Sequence, residues 1–124
     1  MRPEDIVDRY LQAVTERSSA AFRAAVHADY RFREWPNAIN AAGSERDLAA
    51  SLAGIEHSRT LLSGHAFEVH EHVVAGDTVA SRMTWRGTLA AGGRELTAHI
   101  SQHTTVKDGL VWRTESFDCY EPFV

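Results

Sequence analysis

Cysteine is nearly absent: Cys119 is the only one in 124 residues. An intrachain disulfide and a cysteine-built zinc knuckle are thereby excluded. Long apolar runs are missing as well. No stretch approaches the roughly 20 residues that cross a bilayer. The opening segment MRPEDIVDRY interleaves charged and apolar side chains, so no secretory core is expected there. Basic charge is in short supply, with 13 Lys and Arg against 17 Asp and Glu, a net of −4 at pH 7. Displacing counterions from a nucleic acid needs a cationic face, and here the basic residues are scattered singly. What is present, 44% hydrophobic and 24% charged residues, is the composition of a soluble globular chain. The expectation is a single cytoplasmic α+β domain over residues 1–124, with no nucleic-acid or membrane partner.

The first third reads as helix, then strand, then helix. Pro3 suits a first turn, and Glu4 with Asp5 complements the positive end of a helix dipole. Ile6, Val7, Tyr10, Leu11 and Val14 follow a helical stripe that ends near Arg17. Ser18 or Ser19 can cap a second short helix carrying Phe22 and Val26. From Asp29 to Trp35 the period changes to two, with Tyr30, Phe32 and Glu34 on one side. Pro36 stops that strand, and residues 37–43 form a loop. Ser44 with Asp47 resembles a capping box for a third helix through Leu48, Leu52 and Ile55. After Gly64 three hairpin signals punctuate a strand meander: Gly76-Asp77, Ala91-Gly92-Gly93 and Asp108-Gly109. Helices first and strands after is a segregated α+β layout. A curved sheet wrapped over the helices would make a cone-shaped barrel with one open end.

Hairpin register then decides which side chains share a face, because strand side chains alternate. With Asp108-Gly109 as a two-residue turn, His99 is expected opposite Asp118, Ser101 opposite Ser116 and His103 opposite Thr114. A three-residue loop at 91–93 sets Trp85 opposite His99 and Met83 opposite Ser101. The Gly76-Asp77 turn sets His70 opposite Met83 and His72 opposite Ser81. One inward surface of His70, His72, Ser81, Met83, Trp85, His99, Ser101, His103, Ser116 and Asp118 results. An apolar wall with a few convergent polar groups is the makeup of a small-molecule pocket. The other face carries Glu71, Arg82, Arg86, Gln102, Arg113 and Glu115.

The chain resembles the nuclear transport factor 2-like superfamily, in its SnoaL-like and ketosteroid isomerase-like branch. The residues that carry this are DRYLQAV at 8–14, MTWRG at 83–87, Gly43 before the third helix, and DGLV at 108–111. The first string is similar to the helix that bears the isomerase oxyanion tyrosine, and Met83 and Trp85 fall where that family lines its pocket. The likeness implies a cone fold and a homodimer through the outer sheet face. The isomerase base is not matched, since Trp35 precedes Pro36 and Glu34 lies one residue back. The Asp-Arg-Asp trio of limonene epoxide hydrolases is replaced by Met83, Trp85 and Ser116. An Asp with a nearby His on the last strands, as in SnoaL-like polyketide cyclases, is echoed by Asp118 and His99.

These readings combine into an expected site. A carboxylate beside an imidazole orients its tautomer and raises its pKa, which makes Asp118 with His99 a proton-transfer pair. Tyr10 would donate a hydrogen bond to an oxyanion. Trp35, Met83 and Trp85 would hold a flat hydrophobic ligand, with Asn37, His70, Ser101, His103 and Ser116 as polar contacts. His70 and His72 have the spacing of a metal site but lack a third ligand near enough, so neither metal nor cofactor is expected. The expected activity is a cofactor-free isomerase, cyclase or dehydratase acting on a small hydrophobic carbonyl compound. The competing reading is a non-catalytic binding or dimerisation domain.

Overall fold

The computed structural model describes residues 1–122, and it begins with the helix that Pro3 and the acidic first turn favour. Helix α1 spans Pro3–Glu16, and its start is closed by the Arg2 backbone N–H donating to Asp5 at 3.2 Å. Arg17 ends it in the left-handed region at φ 52°. Its stripe buries Ile6, Val7, Tyr10, Leu11 and Ala13. Helix α2, Ser19–Ala25, is capped by Ser18, whose hydroxyl accepts from Ala21 N–H at 3.1 Å. Strand β1 (Val26–Glu34) follows, then a loop, then the short strand β2 (Ser44–Asp47). Residues 44–47 are thus a strand and not a capping box. Asp47 alone caps helix α3 (Leu48–Leu61), accepting from Ala50 N–H at 2.9 Å. Four long strands complete the chain: β3 (Leu62–Ala75), β4 (Thr78–Leu89), β5 (Glu95–Lys107) and β6 (Leu110–Tyr120).

The six strands form one curved sheet in the order β2-β1-β6-β5-β4-β3, antiparallel except where β1 runs parallel to β6. Its ends, β2 and β3, do not pair with each other, so the sheet is curved as expected but is not closed into the cone-shaped barrel expected. The helices fill its concave side, where Val7, Tyr10, Phe22, Tyr30, Met83, Ile100 and Val111 share one core. No helix among the described residues is long and apolar enough to cross a membrane.

Three register steps separate the observed sheet from the expected one. On the β5–β6 hairpin Val106 faces Val111, but the next pair is Thr105 with Arg113, leaving Trp112 as the extra residue of a bulge. Every later pair is displaced by one. Asp118 lies opposite Ile100, Ser116 opposite Gln102, and His99 opposite Cys119. On the β3–β4 hairpin His72 faces Ser81 and Glu71 faces Arg82 as expected, then a bulge at His70 sets Val69 opposite Met83. Between β4 and β5, Trp85 faces Ala98 and Met83 faces Ile100. Since a one-residue slip turns side chains to the other face, Ile100, Gln102 and Thr104 point inward. His99, Ser101 and His103 are exposed on the convex side.

Candidate functional site

Between α1, α3 and the concave face lies a cavity of about 270 Å³. That is just below the roughly 300–1,000 Å³ common to small-molecule sites. Leu11, Val14, Ile55, Phe67 and Ile100 contribute apolar wall, and three polar groups interrupt it.

The first group is acidic. Asp118 on β6 is half-buried, and its Oδ1 accepts from the Ser116 hydroxyl at 2.5 Å. Burial raises its pKa above the ordinary carboxylate value; the Ser116 hydrogen bond opposes the shift, the nearby Glu34 carboxylate adds to it, and Arg46 opposes it. Glu34, at the end of β1, faces the same cavity. Its carboxylate accepts from Asn37 Nδ2 at 2.8 Å and Asn40 Nδ2 at 3.3 Å, and lies 3.6 Å from Arg46. Gly43 makes that corner possible: at φ +66°, a Cβ there would stand 2.6 Å from the Glu34 carbonyl oxygen.

The second group is phenolic. The hydroxyls of Tyr10 on α1 and Tyr30 on β1 lie 2.6 Å apart, both side chains buried. Burial raises both pKa values; the shared hydrogen bond opposes the rise at Tyr10, while the Tyr10 neighbour adds to it at Tyr30. Both rings therefore keep their protons. One hydroxyl donates to the other, and the second has its own proton to give.

The third group stands at the β3–β4 side. Trp85 Nε1–H donates to His65 Nδ1 at 2.9 Å, while His65 Nε2–H donates to the Val14 carbonyl at 3.1 Å. These two bonds assign the Nε2–H tautomer. Burial lowers the His65 pKa, with Arg17 adding to the drop and the Val14 and Thr15 carbonyls opposing it. Tyr120 packs edge-on against Trp85 with ring centroids 6.4 Å apart.

Of the residues singled out from sequence, Tyr10, Trp85, Ser116 and Asp118 meet in this cavity. Seven do not line it. Met83 is fully buried in the core. Trp35 lies outside, stacked on Phe117 at 5.7 Å beneath Arg33. Asn37 is a loop residue that braces Glu34 and also accepts from the backbone of Ile39 and Asn40. His70 bonds the Thr84 hydroxyl at 2.8 Å, and His99 pairs with Glu121 at 2.8 Å, on the opposite face of the sheet from the expected partner Asp118. Ser101 and His103 bond each other on the convex face at 3.4 Å. The physical reason is the same for His99, Ser101 and His103: the bulge at Trp112 and the shifted β4–β5 register turned their strand over. Gln102, placed outside from sequence, is inside for that reason.

Tyr30, Glu34, Arg46, His65 and Phe67 also line the cavity, and none of them is among the site residues expected from sequence. For Tyr30, Phe32 and Glu34 the signal existed, since their alternation along one strand already put them on a common face. Among the described residues no three His, Cys, Asp or Glu side chains are grouped to hold a metal ion.

A family model described as the SnoaL-like domain matches residues 7–114. No protein in the curated set matches the sequence. Solved structures match by shape. Wild-type IdmH from Streptomyces antibioticus, a candidate polyketide cyclase, superposes with a TM-score of 0.80 at 20% identity, covering 95% of this chain and 92% of that one. A candidate SnoaL-like polyketide cyclase from Shewanella denitrificans OS-217 gives 0.80 at 9% identity, over 94% and 89% of the two chains. TerC, co-crystallised with polyporic acid, gives 0.74 at 17% identity, over 94% and 90%. At such identities the structural likeness establishes the fold. The family model, spanning most of the sequence, establishes more: the chain belongs to the SnoaL-like domain family.

Proposed function

We propose that the protein is an acid–base enzyme of the isomerase, cyclase or dehydratase type. Its substrate would be a small hydrophobic carbonyl compound bound in the concave cavity. The observation that carries this reading is a half-buried carboxylate facing a mainly apolar cavity that also holds a pair of protonated phenols. Ser116 occupies Oδ1 of Asp118, which leaves Oδ2 to take a proton from a carbon beside the carbonyl. Burial makes that carboxylate a stronger base than an exposed one. The Tyr10–Tyr30 pair supplies the proton-donating hydrogen bond for the enolate oxygen, a contribution of several kcal/mol where the donor is preorganised. Phe67 and Trp85 supply flat apolar surface. TerC, of the same fold, is co-crystallised with polyporic acid, which supports a small organic ligand in the cavity.

The test is exchange of the α-proton of α-tetralone in D2O, followed by NMR. The parent is expected to accelerate exchange, with a rate that rises with pH through a value above the ordinary aspartate range. Asp118→Asn is expected to lose about a hundredfold or more, the usual worth of a positioned base. Binding of the ketone with no exchange in the parent would replace the enzyme by a binding domain. Exchange that survives Asp118→Asn would move the base elsewhere.

A further inference from the structure

Trp85 is the one large aromatic of the cavity whose seat is defined by a missing side chain. It is half-buried, and its indole lies across Gly87 two residues on in β4. A Cβ built on Gly87 would stand 2.3 Å and 2.5 Å from the far edge of the ring, well inside contact distance. Its N–H donates to His65 Nδ1. A half-buried indole N–H seeks an acceptor, and the neutral tautomer of His65 offers one because its other nitrogen is committed to Val14 at the end of α1. Glycine below, imidazole beside and Tyr120 at the edge thus hold the ring where it closes the β3–β4 side of the cavity.

We infer that His65 and Gly87 are specificity-determining residues: together they hold Trp85 as the end wall that limits the length of the ligand. The inference rests on the cavity being the ligand site, as proposed above. Neither residue touches the proton-transfer group. His65 acts as a positioning residue through Trp85, and Gly87 acts only by leaving room. If the indole swings away, the space it vacates joins a cavity of about 270 Å³, and a longer flat ligand fits.

Two substitutions with nothing chemical in common release the same ring. His65→Leu removes the acceptor, and Gly87→Ala fills the seat. His65→Asn keeps an acceptor near the Nδ1 position and serves as the rescue. The probes are α-tetralone and its benzo-fused tricyclic homologue, titrated by calorimetry. The indole N–H resonance of Trp85 reports the folded state and the hydrogen bond. The parent is expected to favour the bicyclic ketone. Both His65→Leu and Gly87→Ala are expected to shift the affinity ratio toward the tricyclic ketone by at least tenfold and to move the Trp85 N–H resonance, while His65→Asn keeps the parent ratio. In α-proton exchange the variants should alter KM more than kcat. A parent that binds neither ketone, or a ratio unchanged in either releasing variant, overturns the inference. A ratio that shifts while no ketone exchanges its proton upholds the wall and overturns the catalytic reading, so the two failures are separable.

Discussion

At the scale of the residue, Asp118 illustrates a trade between stability and reactivity. Its pKa in the folded protein is raised, chiefly by burial. The folded state therefore binds a proton that the unfolded state has already lost at pH values just above the ordinary aspartate pKa of about 3.9. By linkage, stability falls as pH rises from that value through the folded pKa, and the cost is fully present at neutral pH. Asp118→Asn, which removes the charge and keeps the shape, should raise Tm at pH 7, at roughly 3–6 °C per kcal/mol for a chain of this size. The gain should shrink toward pH 3, where the parent carboxyl is itself neutral. Paired thermal melts at the two pH values check it, and an equal or lower Tm at pH 7 would deny the carboxylate any burial cost. The phenol pair behaves differently. Tyr10→Phe leaves the Tyr30 hydroxyl without its 2.6 Å partner in a buried position. A loss of about 1–3 kcal/mol in stability is expected, with at least a tenfold fall in α-proton exchange. Urea midpoints and the exchange assay measure the two effects separately, and loss of stability alone would make the pair structural.

At the scale of the element, much of the fold is legible in the sequence. The helix stripes of α1 and α3, the cap at Ser18 and the turns at Gly76-Asp77 and Asp108-Gly109 are local signals, and each lies where local chemistry puts it. The facing of the strands is legible only for the first pairs after the turns at Gly76-Asp77 and Asp108-Gly109; between β4 and β5 the register differs from its first pair, Thr88 with Glu95. A bulge adds one residue at little local cost and leaves no distinctive residue type behind. Nothing in VWRTE announces that Trp112 is the extra one. The consequence is selective: alternation along β6 alone puts Ser116 and Asp118 on the cavity face, whereas the facing of β5 depends on the register and carries His99, Ser101 and His103 to the convex side. Deleting Trp112 should therefore close the bulge and keep Thr105 opposite Arg113, so Asp118 stays inside. In that variant the Asp118 carboxyl, followed by carbon NMR, should still titrate above the ordinary aspartate range. A return to the ordinary range would show that the bulge itself, and not the downstream ladder, holds the facing.

At the scale of the molecule, the cavity exists because α1 is held off and yet fastened to an open sheet, and two histidines of the edge strand β3 do the fastening. His65 joins the Val14 carbonyl on α1 to Trp85 on β4. His72 joins Asp8 on α1, at 2.7 Å, to Ser81 on β4, at 2.8 Å. The second bridge has the residue types of a nucleophilic triad, but Ser81 is 2% exposed, so no substrate reaches its hydroxyl and the bridge is a fastening. Its two halves differ in worth. The Asp8 side chain is 58% exposed, so its hydrogen bond with His72 competes with solvent and contributes about 0–1 kcal/mol. The Ser81 hydroxyl is buried and would be orphaned by His72→Ala, a loss of about 1–3 kcal/mol. Asp8→Ala should therefore barely move the urea midpoint, whereas His72→Ala should lower it clearly. Amide exchange in β3 should rise in His72→Ala, because an edge strand has a neighbour on one side only and depends on what crosses to it. Equal midpoints for the two variants would place the fastening in the apolar packing of α1 and leave the imidazole bridge without energetic weight.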